Sequence, residues 1–166
     1  MKKISLVTGC AGFIGSHMVD FLLKKNHFVF GVDNLVSGKT DNLITANKNK
    51  NFKFIKGDIK NFAKLCKKNK LSKLDYIFHF AGHGELIPSI ENPLEYFENN
   101  AHNSAIIIDY VKNNFNLKKF VYAASSSCYG MAKTPTSEND TINPLYPYAM
   151  SKYLGEKLFF HWFNLY

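Results

Sequence analysis

Arginine is missing altogether from this chain of 166 residues: all 21 basic residues are lysines, set against 13 acids, for a formal net charge of +8. A surplus of that size would suit a nucleic-acid partner, but arginine is the residue that grips phosphate and guanine in bidentate fashion. The lysines are also scattered over surfaces and loops, as from Lys48 to Lys56 and from Lys64 to Lys73, among many asparagines. A diffuse positive surface is normally a solvated one, so no nucleic-acid partner is expected. Cysteine is scarce: Cys10, Cys66 and Cys128 are odd in number and lack metal-ligand spacing. They predict free thiols in a reducing compartment, the cytoplasm by default, and no metal site. No apolar run approaches a membrane span, and the N-terminus enters a strand pattern directly, with no signal-peptide pattern. No internal repeat or low-complexity tract is present.

What is there begins with Thr8-Gly9-Cys10-Ala11-Gly12-Phe13-Ile14-Gly15. Ile4 to Val7 before it reads as a short buried strand, and Phe13, Ile14, Met18, Phe21, Leu22 and Leu23 after it recur at helical spacing. A glycine turn between strand and helix suits a pyrophosphate. Gly9 allows the turn, Gly12 admits close backbone approach, Gly15 lets helix pack on strand, and the helix start offers free amides. A second strand, His27 to Val32, ends in Asp33, where a carboxylate is placed to accept hydrogen bonds from an adenosine ribose and to repel a 2′-phosphate. NAD is therefore expected over NADP.

The alternation continues. Thr40 to Asn47 reads as a short polar helix or loop, Phe52 to Asp58 as a third strand, and Lys60 to Asn69 as a helix. Asp75 to Gly82 reads as a fourth strand, followed by a loop. Pro93 to Asn113 reads as one long helix, Lys119 to Ala124 as a fifth strand, and Tyr146 to the end as a last helix. Strands alternating with helices predict an α/β, doubly wound parallel sheet of about five strands, a Rossmann-type dinucleotide-binding fold. Length fits one domain over 1–166. In the last helix, Tyr148 and Lys152 share one face. A lysine ammonium and a positive nicotinamide ring both favour a phenolate, which suits Tyr148 as general base at a sugar or alcohol hydroxyl. Ser125 could hydrogen-bond the same hydroxyl and steady its developing charge.

The chain resembles the extended short-chain dehydrogenase/reductase superfamily, in its NAD-dependent epimerase/dehydratase branch. The matching motifs are Thr8-Gly9-x-x-Gly12-Phe13-Ile14-Gly15, Asp33-Asn34, Gly57-Asp58-Ile59, His79-x-Ala81, Ser125-Ser126-Ser127-Cys128-Tyr129-Gly130 and Tyr148-x-x-x-Lys152. The resemblance implies a catalytic set of Ser125, Tyr148 and Lys152. It implies a cofactor site of Gly9, Gly12, Phe13, Ile14, Gly15, Asp33, Asn34, Asp58, Ile59 and Ala81, with Tyr148 and Lys152. It sets Ser125, Ser126, Asn100 and Tyr148 at the substrate. Asn100 would support the active-site backbone, in a stretch where Asn103-Ser104 stands for the family's Gly-Thr. Related 4,6-dehydratases carry an Asp-Glu pair after the catalytic residue, and related decarboxylases a Glu in that segment. Ser126 and Ser127 stand there instead and cannot serve as carboxylic acids. Hydride removal and return through a 4-keto sugar then remains, the UDP-hexose 4-epimerase reaction.

The family resemblance also implies a nucleotide-sugar substrate and a homodimer. Family members run to about twice this length, so a truncated chain lacking the substrate domain is expected. The alternatives are an NAD-binding module without turnover, a different sugar-nucleotide reaction (dehydratase, reductase or decarboxylase), or a basic interaction protein. Other residues carry plainer expectations. His79 is a structural hydrogen-bonder, Cys128 packs, and His83, Glu85 and Ser89 lie in the loop after the fourth strand, where they either touch the sugar or are simply solvated. Leu154, Leu158, Trp162 and Tyr166 form a core or interface stripe.

Overall fold

The computed structural model describes residues 2–166. Five strands form one parallel sheet: β1 (Ile4–Thr8), β2 (Phe28–Asp33), β3 (Phe52–Lys56), β4 (Tyr76–His79) and β5 (Lys119–Tyr122), in the order β3-β2-β1-β4-β5. Parallel pairing runs Ile4 to Phe28 through Thr8 to Val32 on one side of β1, and Ser5 to Tyr76 through Thr8 to His79 on the other. This is the Rossmann-like architecture expected from the strand–helix alternation. Because β2 and β3 are laid to one side of β1 and β4 and β5 to the other, the strand order reverses between β1 and β4. The carboxyl ends of those two strands therefore open a crevice, the place where such sheets bind ligands.

The helices are α1 (Phe13–Lys24), α2 (Ile44–Asn47), α3 (Phe62–Lys68), α4 (Leu86–Glu91), α5 (Pro93–Phe97), α6 (Asn103–Asn114) and α7 (Pro147–Leu165). A π-helical turn, Glu98–His102, joins α5 to α6, so the stretch expected as one long helix carries an inserted wide turn. The segment after β4 is not a plain loop: α4 occupies it, with Pro88 tolerated in its first turn, where a missing amide costs nothing. Strand ends fall short of the expected ones, at Lys56, His79 and Tyr122, although the next amides, of Gly57, Phe80 and Ala123, still donate to the neighbouring strands.

By packing, the chain divides into two compact units. One runs to Ala81 and resumes over Asp109–Ala123; the other comprises Gly82–Ile108 and Ala124–Tyr166. The first holds the whole sheet. Its core gathers Val7, Cys10, Ala11, Val19, Leu22, Val29, Leu43 and Ala46, flanked by Phe52, Phe54, Phe78 and Phe80. Each of the valine and leucine side chains contributes about 1.5–3 kcal/mol through burial. The buried face of α1 is Gly15, Ser16, Val19 and Leu22, while Phe13, Ile14 and Phe21 are exposed, so only part of the apolar spacing marks core. In the second unit, Tyr96, Asn100, Ala101, Asn103, Ser104, Ile107, Ala149, Ser151 and Lys152 are buried. Along the expected stripe of α7, Leu158 and Trp162 are half-buried while Leu154 and Tyr166 are exposed, so it is not buried core along its length.

The three cysteines are free and buried. Among the described residues no helix is long and apolar enough to cross a membrane, and no group of three or more His, Cys, Asp or Glu side chains is gathered to hold a metal ion.

Candidate active site

In the sheet-bearing unit, the loop after β1 is shaped by two glycines that nothing larger can replace. Gly9 has φ +66°, and a Cβ there would lie 2.7 Å from the Ala81 amide nitrogen; a Cβ on Gly15 would lie 2.0 Å from the Gly9 carbonyl oxygen. Gly12 differs. Its N–H donates to Gly9 O at 3.1 Å, and a Cβ would meet only that same oxygen, at 3.3 Å. Gly12 also caps α1 without any side-chain hydrogen bond, no acid stands in the first turn, and Phe13 and Ile14 are exposed. The result is a twelve-residue helix whose first amides are open beside a position without a side chain. Those features fit a diphosphate held on backbone N–H groups and the positive end of the helix dipole.

Asp33 closes the loop from the next strand. Its Oδ2 accepts the Ala11 N–H at 2.9 Å and its Oδ1 the Leu35 N–H at 2.8 Å, and the residue is almost buried. Each oxygen keeps a second lone pair for a ribose hydroxyl. Asn34 Nδ2 donates to Asp58 Oδ2 at 3.1 Å, joining the ends of β2 and β3, and Asp58 Oδ1 caps the following turn at Lys60 N. Ile59 is buried beneath that turn. Ala81 N–H donates to Thr8 Oγ1 at 3.2 Å, and Thr8 Oγ1 lies 2.6 Å from His79 Nδ1, so β1 and β4 are tied together at the crevice. His79 is thus a buried structural partner, as expected.

Sequence reading missed Asn42, whose Nδ2 donates to Ala11 O at 2.8 Å, and Gly38, where a Cβ would lie 2.8 Å from Asp33 Oδ1. Neither belongs to a motif, and a contact across 31 residues leaves no local signal. Cys10, fully buried in the loop, has its thiol pushed well up by burial and then by the Asp33 charge, so it stays neutral.

The second unit holds the other set. Ser125 is extended, and its Oγ accepts the Ser127 N–H at 3.2 Å, capping the turn Ser126–Tyr129. The Tyr148 hydroxyl donates to the same Oγ at 3.3 Å. Tyr148 comes from the first turn of α7, which Pro147 begins with its fixed φ. Its ring packs edge-on against buried Tyr96 at 6.4 Å, and Tyr96 in turn lies 5.3 Å from the His83 ring. Lys152, one turn further along α7, is 8% exposed, and burial brings its pKa down to about 8. Cys128 donates to Ala149 O at 3.5 Å; burial, then the Glu156 charge, raises its thiol, which fits packing and not nucleophilic attack. Ser126 is exposed.

Asn100 lies in the π turn, 1% exposed and fully engaged. Its Oδ1 accepts the His83 N–H at 2.8 Å, and its Nδ2 donates to His83 O and to Ser151 Oγ, both at 3.0 Å. Ser151 was not among the expected site residues; its only sequence signal is its place beside Lys152.

Comparison with known proteins gives these arrangements a context. A family model described as GDP-mannose 4,6 dehydratase matches residues 6–166. The UDP-glucuronate 4-epimerase of Thermodesulfobacterium geofontis is 36% identical over 167 aligned residues, covering 97% of this chain and 51% of that protein. The UDP-Glc/GlcNAc 4-epimerase structure from Campylobacter jejuni superposes with a TM-score of 0.90 at 30% identity, covering 98% of this chain and 50% of that one. The UDP-glucuronic acid 4-epimerase of Bacillus cereus, solved with UDP-glucuronic acid and NAD, gives 0.86 at 31% identity, covering 97% and 52%. This chain spans about half the length of the relatives it matches. With the family model matched along nearly all of its length, the chain belongs to the NAD-dependent epimerase/dehydratase family.

Proposed function

We propose that this chain is the cofactor-holding and proton-transferring part of a nucleotide-sugar 4-epimerase, acting on a UDP-hexose. One observation carries the reading: the Tyr148 hydroxyl bonded to Ser125 Oγ, with Lys152 one helical turn away. Gly9, Gly12, Phe13, Ile14 and Gly15 would hold the diphosphate of NAD, Asp33 and Asn34 its ribose, Asp58 and Ile59 its adenine, and Ala81 the path between. NAD, when bound, supplies a two-electron acceptor that gives the electrons back.

The residues of this chain handle the proton. Tyr148 takes it from the C4 hydroxyl as that carbon is oxidised and returns it when the carbonyl is reduced from the other face. Ser125 shares the hydrogen bond and steadies the oxygen as its charge changes. Lys152 is the third member of the set, one helical turn further along α7. Ser126 and Ser127 supply no carboxylic acid, so loss of water from the sugar has no proton donor in this segment, which favours epimerisation over dehydration. Asn100 would keep the backbone around the sugar in register. Two copies per assembly, as the family resemblance implies, belong to the same proposal and are tested by sedimentation.

A second reading keeps the cofactor site and omits turnover: an NAD-binding module of its own. It is favoured by one fact, the coverage of only about half of each relative. The deciding experiment pairs two measurements on the purified chain. NAD should raise its melting temperature more than NADP does, and UDP-glucose should convert to UDP-galactose. Stabilisation without conversion would select the module; no stabilisation by NAD would reject both readings.

A further inference from the structure

The buried hydroxyl of Ser151 has no role in the proposed chemistry, yet every hydrogen-bonding group around it is committed. Its hydrogen goes to the Tyr148 carbonyl at 2.8 Å, and its oxygen accepts one N–H of Asn100 at 3.0 Å. The other Asn100 N–H and the Asn100 Oδ1 hold both the carbonyl and the amide of His83. That two-point grip fixes which way round the amide sits, because a flipped Asn100 would face its NH2 to a donor and its oxygen to an acceptor. Ser104 Oγ anchors the far side by donating to Asn100 O at 2.7 Å. Gly82, at φ +159°, brings the preceding backbone so close that a Cβ would stand 2.6 Å from Asn100 Oδ1. Ser151 is fully buried and Asn100 is 1% exposed, so no water competes for these bonds.

We propose that Ser151 is a positioning residue: its hydroxyl locks the first turn of α7, and with it the Tyr148 side chain, to the backbone at His83 through Asn100. The assignment rests on reading Tyr148 as the proton-transfer group, but its geometric content does not. Tyr148 and His83 sit at the two ends of one saturated chain of bonds, and the same two residues also flank Tyr96 through ring contacts. Displacement at one end must therefore be felt at the other.

The test uses the full chain with 3-fluorotyrosine at its nine tyrosines. The Tyr148 fluorine line is assigned by its loss in Tyr148→Phe. In Ser151→Ala the Tyr148 line should shift or broaden while the tyrosine lines remote from α7 hold still, and exchange of the His83 amide should quicken by ~10-fold or more. Asn100→Ala should reproduce both changes. A Tyr148 line unchanged in position and width would overturn the proposal. Equal movement of all nine lines would also overturn it, by making Ser151 a packing residue only. Should Ser151→Ala lose its cooperative melting, Ser151→Cys, of nearly the same size but a weaker donor, carries the same comparison. Stabilisation of the wild-type chain by NAD is measured beside it. Its absence would remove the proposed function and leave the Ser151 linkage standing.

Discussion

Asp33 reaches back across 22 residues to accept the Ala11 N–H at 2.9 Å, so the carboxylate proposed to read the ribose also fastens the glycine loop. Replacing it with alanine leaves the buried Ala11 amide and the half-buried Leu35 amide without their acceptor. Asp33→Ala should therefore lose about 1–3 kcal/mol of stability in urea unfolding. The extra stabilisation given by NAD should also shrink, and its margin over NADP should narrow. Full retention of the NAD margin would mean that another residue reads the ribose.

Gly9 and Gly12 predict opposite failures. At Gly9 both the left-handed backbone and the Ala81 and Phe80 backbone atoms, which would stand 2.7 and 2.8 Å from a Cβ, resist a methyl group. Gly9→Ala should cost about 1–3 kcal/mol of folding stability before any ligand is considered. Gly12 meets only one atom, at 3.3 Å, and has ordinary dihedrals, so Gly12→Ala should cost about 0.5–1 kcal/mol, mostly as a poorer helix cap. Its methyl would instead occupy the space proposed for the diphosphate, so NAD should stabilise that variant much less than the wild type. Thermal melts of both variants with and without NAD separate the two effects.

Tyr148→Phe removes the hydroxyl that donates to Ser125 and leaves the ring against Tyr96. Interconversion of UDP-hexoses should fall by ~100-fold to ~10,000-fold, the span of general acid–base assistance. The melting shift produced by NAD should change little. Undiminished turnover would remove Tyr148 from the mechanism.

Lys152 sets activity against stability. Its pKa falls from 10.5 to about 8 because burial penalises the ammonium; the neighbouring Cys128 thiol, itself raised, is neutral near pH 8 and offsets little. Below pH 8 the lysine is charged in the folded and unfolded chain alike, and the burial penalty is fully present. Between pH 8 and 10.5 the unfolded chain binds more protons, so this group makes stability rise with pH. Lys152→Met should abolish proton transfer yet raise stability at pH 7 by up to ~3 kcal/mol, and should flatten that alkaline rise. Urea titrations at pH 7 and pH 10 check the sign; an equally steep rise in the variant would place its source elsewhere.

The first strand, glycine loop, α1 and Asp33 were legible because each depends on residues close in sequence: a short apolar run, fixed glycine spacing, then a helical period. Tyr148 and Lys152 were legible for the same reason, being one turn apart. What escaped depends on distance. Asn42 and Gly38 brace the loop and Asp33 through contacts that no local pattern encodes. The turn at Glu98–His102 looked like plain helix, because one extra residue per turn shifts the hydrophobic phase too little to be seen over five residues. The helix Leu86–Glu91 was hidden by Pro88 and by having barely a turn and a half. Along α7, Leu154 and Tyr166 keep a helical period that burial does not follow. Periodicity tells which residues share a face and not whether anything covers it.

The place of β1 in the middle of the sheet also governs how the protein is made. Strands β1, β2 and β3 leave the ribosome in the order in which they pair, each joined to the next by one right-handed crossover. The other edge of β1 stays open until Tyr76–His79 has been synthesised, and Ala81, the residue that closes on Gly9, comes later still. A half-sheet formed during translation would therefore have a glycine loop lacking one wall, and a cofactor held on that loop as proposed would find its complete site only after the fourth strand.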